Sequence, residues 1–219
     1  MRSASVDLPW SIWAMIEKLR MFFSGVMGRL LAPLRDAGKW PLGGAGGSPI
    51  MRNAQARDAQ CEGEREKGVD AGEIRVAHDG PVTFVTIARK AVRNALDTAM
   101  RAKLRAAFEA AAAREETRAV ILTGAGDKAF CAGQDVRELA ALDGAGAQDW
   151  VRDMQALFAC VRSFEKPVVC ALNGVAAGLG FQLALMADVR IAAASARMGQ
   201  TEINLGLASM SGPWIMREV

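Results

Sequence analysis

From Glu73 onward the chain alternates short apolar runs with longer amphipathic ones, and this alternation restricts its fold more than any other feature. Residues 74–77 and 82–87 flank the turn Asp79-Gly80-Pro81 and predict two strands joined by that turn. Asp97 is placed to cap a helix running to about Ala113, with Met100, Leu104 and Phe108 four apart on one face. Residues 119–122 are a short apolar run closed by Thr123-Gly124, which reads as a buried strand. Trp150, Met154, Leu157, Phe158, Val161 and Phe164 predict a second amphipathic helix, stopped by Pro167 ahead of a strand over 168–172. Ala176-Ala177-Gly178-Leu179-Gly180 leads into a helix ending near Asp188, followed by a strand over 189–192. Such an order implies an α/β fold with buried parallel strands.

The front of the chain is different. Residues 1–50 carry six Lys/Arg against three acids, so the remaining 21 bases and 21 acids balance and the whole net charge of +3 lies in that segment. The basic excess is therefore no sign of nucleic-acid binding, and none is expected. Within residues 10–32, Ile12, Ile16, Leu19, Phe23, Val26, Met27 and Leu30 recur at helical spacing, but charges at 17, 18, 20 and 29 argue against a membrane span. The stretch fits a surface-lying helix, an organelle-targeting segment, or an extension upstream of a natural start at Met51. The glycine-rich linker 43–49 favours the extension, and membrane contact through 10–32 is not expected. Residues 1–71 are thus expected to stand outside the fold, and 72–219 to form it.

Composition excludes several mechanisms. The chain has no Tyr, and its one His, His78, sits beside a surface turn, which suits neither a triad nor a His-rich metal site. No metal is expected. Cys61, Cys131, Cys160 and Cys170 show no C-x-x-C spacing, and three of them lie in apolar runs, as reduced thiols do. A reducing, cytoplasmic location is the expectation.

Three segments combine loop glycines, polar residues and flanking strands. Residues 128–135 end in Ala132-Gly133-Gln134-Asp135 ahead of a helix starting near Val136. They suit either backbone N–H groups aimed at an anion or carbonyl, or a tight turn capped by Asp135. Residues 173–182 contain G-x-G at a strand end, but Leu183 stands where a dinucleotide fingerprint needs its third glycine, and no Ser is present for a nucleophile elbow. A helix N-terminus with free N–H groups remains. Two such donors on one oxygen would stabilise an enolate or tetrahedral intermediate. Glu202, followed by Leu205-Gly206-Leu207, is a candidate base in apolar surroundings, although spacing alone favours a solvated loop Glu or a helix cap.

Six blocks in order carry a resemblance: Arg93-Asn94-Ala95-Leu96, Lys128 through Asp135, Lys166-Pro167-Val168-Val169, Asn173-Gly174 through Leu183-Ala184, Asp188-Val189-Arg190-Ile191, and Gln200 through Gly206. Together they resemble the enoyl-CoA hydratase/isomerase (crotonase) family over residues 72–219. The resemblance implies a spiral of ββα units binding an acyl-CoA thioester, with coenzyme A as part of the substrate and no separate cofactor. It implies that the backbone N–H groups of Gln134 and Leu179 form the oxyanion hole. Ala132 would contact the adenine end of CoA, and Arg89 and Arg93 would lie near its phosphates. A homotrimer or dimer of trimers is the family's assembly.

Departures from the family pattern shape the expectation. Of the two carboxylates used for hydration, one position is Gln182 and the other Glu202. Gln cannot exchange a proton at neutral pH, so isomerisation by one Glu is favoured over hydration, in fatty-acid or related acyl-CoA metabolism. The tyrosine-assisted lyase route is disfavoured, and Thr201 in place of a common Pro is expected to loosen the loop bearing Glu202. The chain ends at Val219 where family members continue for further helices, so a C-terminal truncation is expected, with assembly weakened. The competing expectation is a truncated, catalytically inactive remnant that at most binds acyl-CoA.

Overall fold

The computed structural model describes residues 72–206, 208–209 and 211–218. The stretch 10–32, the linker 43–49, residues 51–71 and Cys61 lie outside them. Among the described residues the strands are β1 (Glu73–Asp79), β2 (Val82–Ala88), β3 (Ala119–Gly124), β4 (Ala129–Cys131), β5 (Val168–Leu172), β6 (Val175–Ala177), β7 (Val189–Ala192) and β8 (Met198–Gly199). The α-helices are α1 (Thr98–Ala113), α2 (Val136–Ala140), α3 (Gly144–Arg162), α4 (Leu179–Met186) and α5 (Gly212–Glu218).

Five strands form one sheet in the order β1-β2-β3-β5-β7, and β4-β6-β8 form a second. Only β1 and β2 pair antiparallel in the larger sheet; its other pairs, and both pairs of the smaller sheet, are parallel. Each of the pairs β3/β4, β5/β6 and β7/β8 gives its first strand to the larger sheet and its second to the smaller. The expected ββα spiral is this pattern.

β2, β3 and β5 are buried along their whole length, which is why they read as unbroken apolar runs rather than alternating ones. On one sheet face Val85, Ile87, Val120, Leu122, Val168 and Cys170 meet Leu104 and Phe108 of α1 and Leu157 and Val161 of α3. The opposite face has a smaller cluster around Phe84, Ile121 and Val169.

Caps set the helix starts. Asp97 accepts from the Met100 N–H at 2.8 Å, as the sequence predicts. Asp143 accepts from the Gly146 N–H at 2.7 Å, so α3 starts well before the apolar stripe that begins at Trp150. Phe164, expected on that helix, lies beyond its C-cap Ser163 and still reaches the core, meeting Phe108 edge-on with centroids 5.3 Å apart. His78 stands within β1, not in the turn; it is exposed, with Nδ1 3.1 Å from Thr83 Oγ1.

Two cations close helix ends. Lys166 Nζ donates to the carbonyls of Ala111, Ala112 and Arg114 at 3.1, 2.9 and 2.9 Å. Arg190 Nη1 does the same for Ala184, Leu185 and Ala187. Both offset the partial negative charge of a helix C-terminus. Lys166→Met should therefore lower stability by about 1 kcal/mol, read as a lower denaturation midpoint with an unchanged denaturant slope. An unchanged midpoint would show that water replaces the ammonium at no cost.

Candidate functional site

The loop between β3 and β4 is held by two buried asparagines from separate blocks of the sequence. Asn94, in the left-handed region with φ 59°, donates from Nδ2 to the carbonyls of Ala125 and Ala129 at 3.0 and 2.8 Å. Asn173 donates to those of Gly126 and Ala129 at 2.7 and 3.0 Å, and its Oδ1 accepts from the Gly124 N–H at 3.1 Å. The Ala129 carbonyl thus takes both amides, and this anchors the start of β4. Buried polar groups satisfied in this way specify one loop conformation.

After β4 the backbone of residues 132–135 runs beside Leu96. The Leu96 N–H donates to the Gly133 carbonyl at 2.9 Å, and the Asp135 N–H to the Leu96 carbonyl at 3.0 Å. That parallel pairing uses the neighbours of Gln134, so the Gln134 N–H points away from Leu96. On the other side, α4 begins at Leu179, and its first internal bond is Gln182 N–H to the Gly178 carbonyl at 3.0 Å. The N–H groups of Leu179, Gly180 and Phe181 therefore have no acceptor within the helix. The two segments touch: a Cβ on Gly133 would lie 2.8 Å from the Ala177 oxygen and 3.5 Å from the Leu179 nitrogen.

Glu202 opens a 3-10 turn after β8, and its carboxylate lies over the Cα of Gly178. A Cβ there would meet Oε1 at 3.0 Å and Oε2 at 3.4 Å. Gly178 also has φ 51°, a conformation that L side chains rarely adopt. Glu202 Oε1 accepts from Gln200 Nε2 at 2.6 Å and, more weakly, from Gln182 Nε2 at 3.4 Å. Oε2 is buried and, among the described residues, accepts no hydrogen bond. Gln182 is buried, and its Oε1 accepts from Ser211 Oγ at 2.9 Å. Gln200 Nε2 also reaches Ser209 Oγ at 2.7 Å. The carboxylate therefore has one oxygen fixed by carboxamides and the other uncommitted, beside a helix N-terminus.

A model of the enoyl-CoA hydratase/isomerase family matches residues 78–219. The chain belongs to that family. It is 43% identical over 153 residues to a probable enoyl-CoA hydratase of Rhodobacter capsulatus, covering 67% of this chain and 56% of the relative. It is 37% identical over 140 residues to a 2,3-dehydroadipyl-CoA hydratase of Escherichia coli, covering 64% and 54%. A crystal structure of an enoyl-CoA hydratase from Bacillus anthracis superposes with a TM-score of 0.59 at 36% identity, covering 62% of this chain and 53% of that one. The crotonase fold is shared, and the chain spans a little over half the length of these relatives.

Against that background, the structure brings Gly133, Gln134, Leu179, Gln182 and Glu202 together. It also joins Ala132 to Arg93, the Ala132 N–H donating to the Arg93 carbonyl at 3.0 Å, with the Arg93 side chain exposed. Arg89, expected near the CoA phosphates, is held by two carboxylates. Its Nη1 lies 2.8 Å from Asp135 Oδ2 and 3.2 Å from Asp97 Oδ2. Pairing Leu96 with Gln134 puts the two cap carboxylates side by side, and Arg89 bridges them. Burial pushes the Asp135 carboxyl up, but the Arg137 amide together with the Arg89 hydrogen bond and charge hold it below the ordinary aspartate value.

Sequence reasoning gave no role to Gln200, Ser209 or Ser211. Gln200 was visible two residues before Glu202, but no periodicity marks the serines, which reach the site only where the chain folds back into α5. Cys131, adjoining the loop, is a neutral thiol: burial pushes it up to about 12, opposed by a weaker hydrogen bond with Gly133.

Gly178→Ala should cost about 2 kcal/mol of stability, because an L residue is strained at this φ and its Cβ crowds the carboxylate. Turnover should fall further than the melting shift explains, since Glu202 has to move. A variant with wild-type melting and wild-type turnover would contradict this geometry.

Proposed function

We propose that the site transfers a proton at the α-carbon of an acyl-CoA thioester, with Glu202 as the base. The observation carrying this reading is the Glu202 carboxylate, with its uncommitted Oε2, lying over Gly178 at the point where the Gln134 and Leu179 backbones converge. A thioester oxygen between the N–H groups of Gln134 and Leu179 would gain hydrogen bonds as negative charge develops on it. Each such donor is worth about 3 kcal/mol in the transition state. Glu202 Oε2 takes the proton from C2, and the electron pair moves onto the thioester oxygen as the enolate. Returning the proton at C4 shifts a 3,4 double bond into conjugation. No cofactor enters this scheme, and CoA is part of the substrate. Ala132 and Arg93 are assigned to its nucleotide end.

The carboxamide at 182 supports isomerisation. Its Oε1 is taken by Ser211 and its Nε2 faces Glu202, so it orients the base and supplies no second acid. Hydration is the second reading, favoured by the names of the hydratase relatives.

Incubating the chain with 3-enoyl-CoA and with 2-enoyl-CoA distinguishes the readings, because isomerisation creates the conjugated absorbance and hydration consumes it. The proposal expects a rising signal from the 3-enoyl ester. Glu202→Gln should reduce turnover by about 1,000-fold while the ester's Kd is retained. Turnover of neither substrate would support the inactive remnant, and full activity in the variant would remove Glu202 from the mechanism.

A further inference from the structure

The Gln134 side chain does not extend freely from the loop. Its Nε2 donates to Glu138 Oε2 at 2.6 Å, four residues on, while its own Oε1 is buried and accepts nothing among the described residues. Glu138 is anchored in turn. Its Oε1 accepts from the Thr98 N–H at the start of α1 at 2.8 Å, and its Oε2 lies 3.2 Å from Arg101 Nη1. Arg101 is fully buried, and its Nε donates at 2.6 Å to Asp153 Oδ2 on α3, a carboxylate that also pairs with Arg105 at 3.2 Å. One carboxylate thus connects the loop to three helices through a desolvated guanidinium.

We propose that Glu138, backed by Arg101 and Asp153, is a positioning residue that holds the Gln134 peptide so that its N–H faces the thioester oxygen. The need for such a device follows from Gly133. At φ 105° it adopts a conformation that L side chains rarely take, and the planar peptide it shares with Gln134 is held at its carbonyl by one hydrogen bond, from the Leu96 N–H at 2.9 Å. The Leu96 bond thus restrains one edge of that peptide, and the tether from Gln134 to Glu138 restrains the residue on its other side. A donor held from outside costs no reorganisation when charge develops on its acceptor, and a small misplacement weakens it steeply. Gln at position 134 is therefore an anchor as well as the bearer of the N–H. Arg101 faces Glu138 and Asp153, and Arg105 faces Asp153 and, at 3.9 Å, Glu109.

The inference rests on the reading of the Gln134 N–H as an oxyanion donor, and its test separates the two. The probe is a conjugated enoyl-CoA, whose absorbance moves to longer wavelength when its carbonyl is polarised. The full chain, Gln134→Met, Glu138→Ala and the double variant are compared for that red shift, for ester Kd and for turnover. Gln134→Met removes the tether but leaves the Glu138–Arg101 pair intact, so the result does not depend on Glu138→Ala folding. Each single variant should lose most of the red shift and about tenfold in turnover, with Kd within about twofold of the parent. The double variant should be no worse than either single one, as expected of residues acting through one contact. An unchanged red shift in Gln134→Met, or multiplicative losses in the double variant, would overturn the positioning role alone. A parent chain that binds the ester without any red shift would overturn the oxyanion reading and this inference with it.

Discussion

The contact between Gly133 and the backbone of Ala177 and Leu179 is the constraint on which the site depends. No side chain fits there, because even a Cβ would lie 2.8 Å from the Ala177 oxygen. The contact exists because β4 and β6 pair in parallel in the smaller sheet, which brings the chain leaving each strand to the same end. One strand end leads into the Gln134 peptide and the other into the first turn of α4. β8 is the third strand of that sheet, and the turn that follows it carries Glu202. Three neighbouring strands of the small sheet thus deliver the Gln134 peptide, the first turn of α4 and Glu202 to one place. The larger sheet provides the rigid support.

Polar groups surrounding this contact act mainly as fasteners. Asn94 and Asn173 converge on the Ala129 carbonyl, Arg89 joins the caps of α1 and α2, and Arg101 ties α1, α2 and α3 together. Buried ion pairs of this kind contribute little net stability over apolar packing, but losing one partner leaves an uncompensated charge. Their consequence is geometric specificity in the loop that bears Gln134. Gly133, immediately before Gln134 in that loop, has a positive φ of 105°.

Much of this was legible in the residues. Continuous apolar runs at β2, β3 and β5 betray strands covered on both faces, and Asp97 and Asp135 stand where caps belong. The α3 start was misplaced because a stripe beginning at Trp150 says nothing about six preceding residues whose cap is Asp143. The pairing of Arg89 with Asp97 and Asp135 was not foreseen. Nothing local reveals that the Leu96–Gln134 pairing would set two carboxylates beside Arg89. Ser211 was invisible for the same reason, its partner Gln182 lying 29 residues away, and Ser209 meets Gln200 only because the turn after Glu202 folds back. Contacts made by folding back leave no periodic trace.

Proton removal from the α-carbon, with charge received by two backbone N–H groups, is the central claim, and isotope exchange tests it without regard to the later fate of the enolate. A saturated acyl-CoA has no double bond to move or hydrate. Incubated with the chain in D2O, it should gain deuterium at C2 and nowhere else, and the Glu202→Gln variant should show none above the uncatalysed rate. Bound ester with no deuterium at C2, or exchange that persists in the variant, would contradict the account.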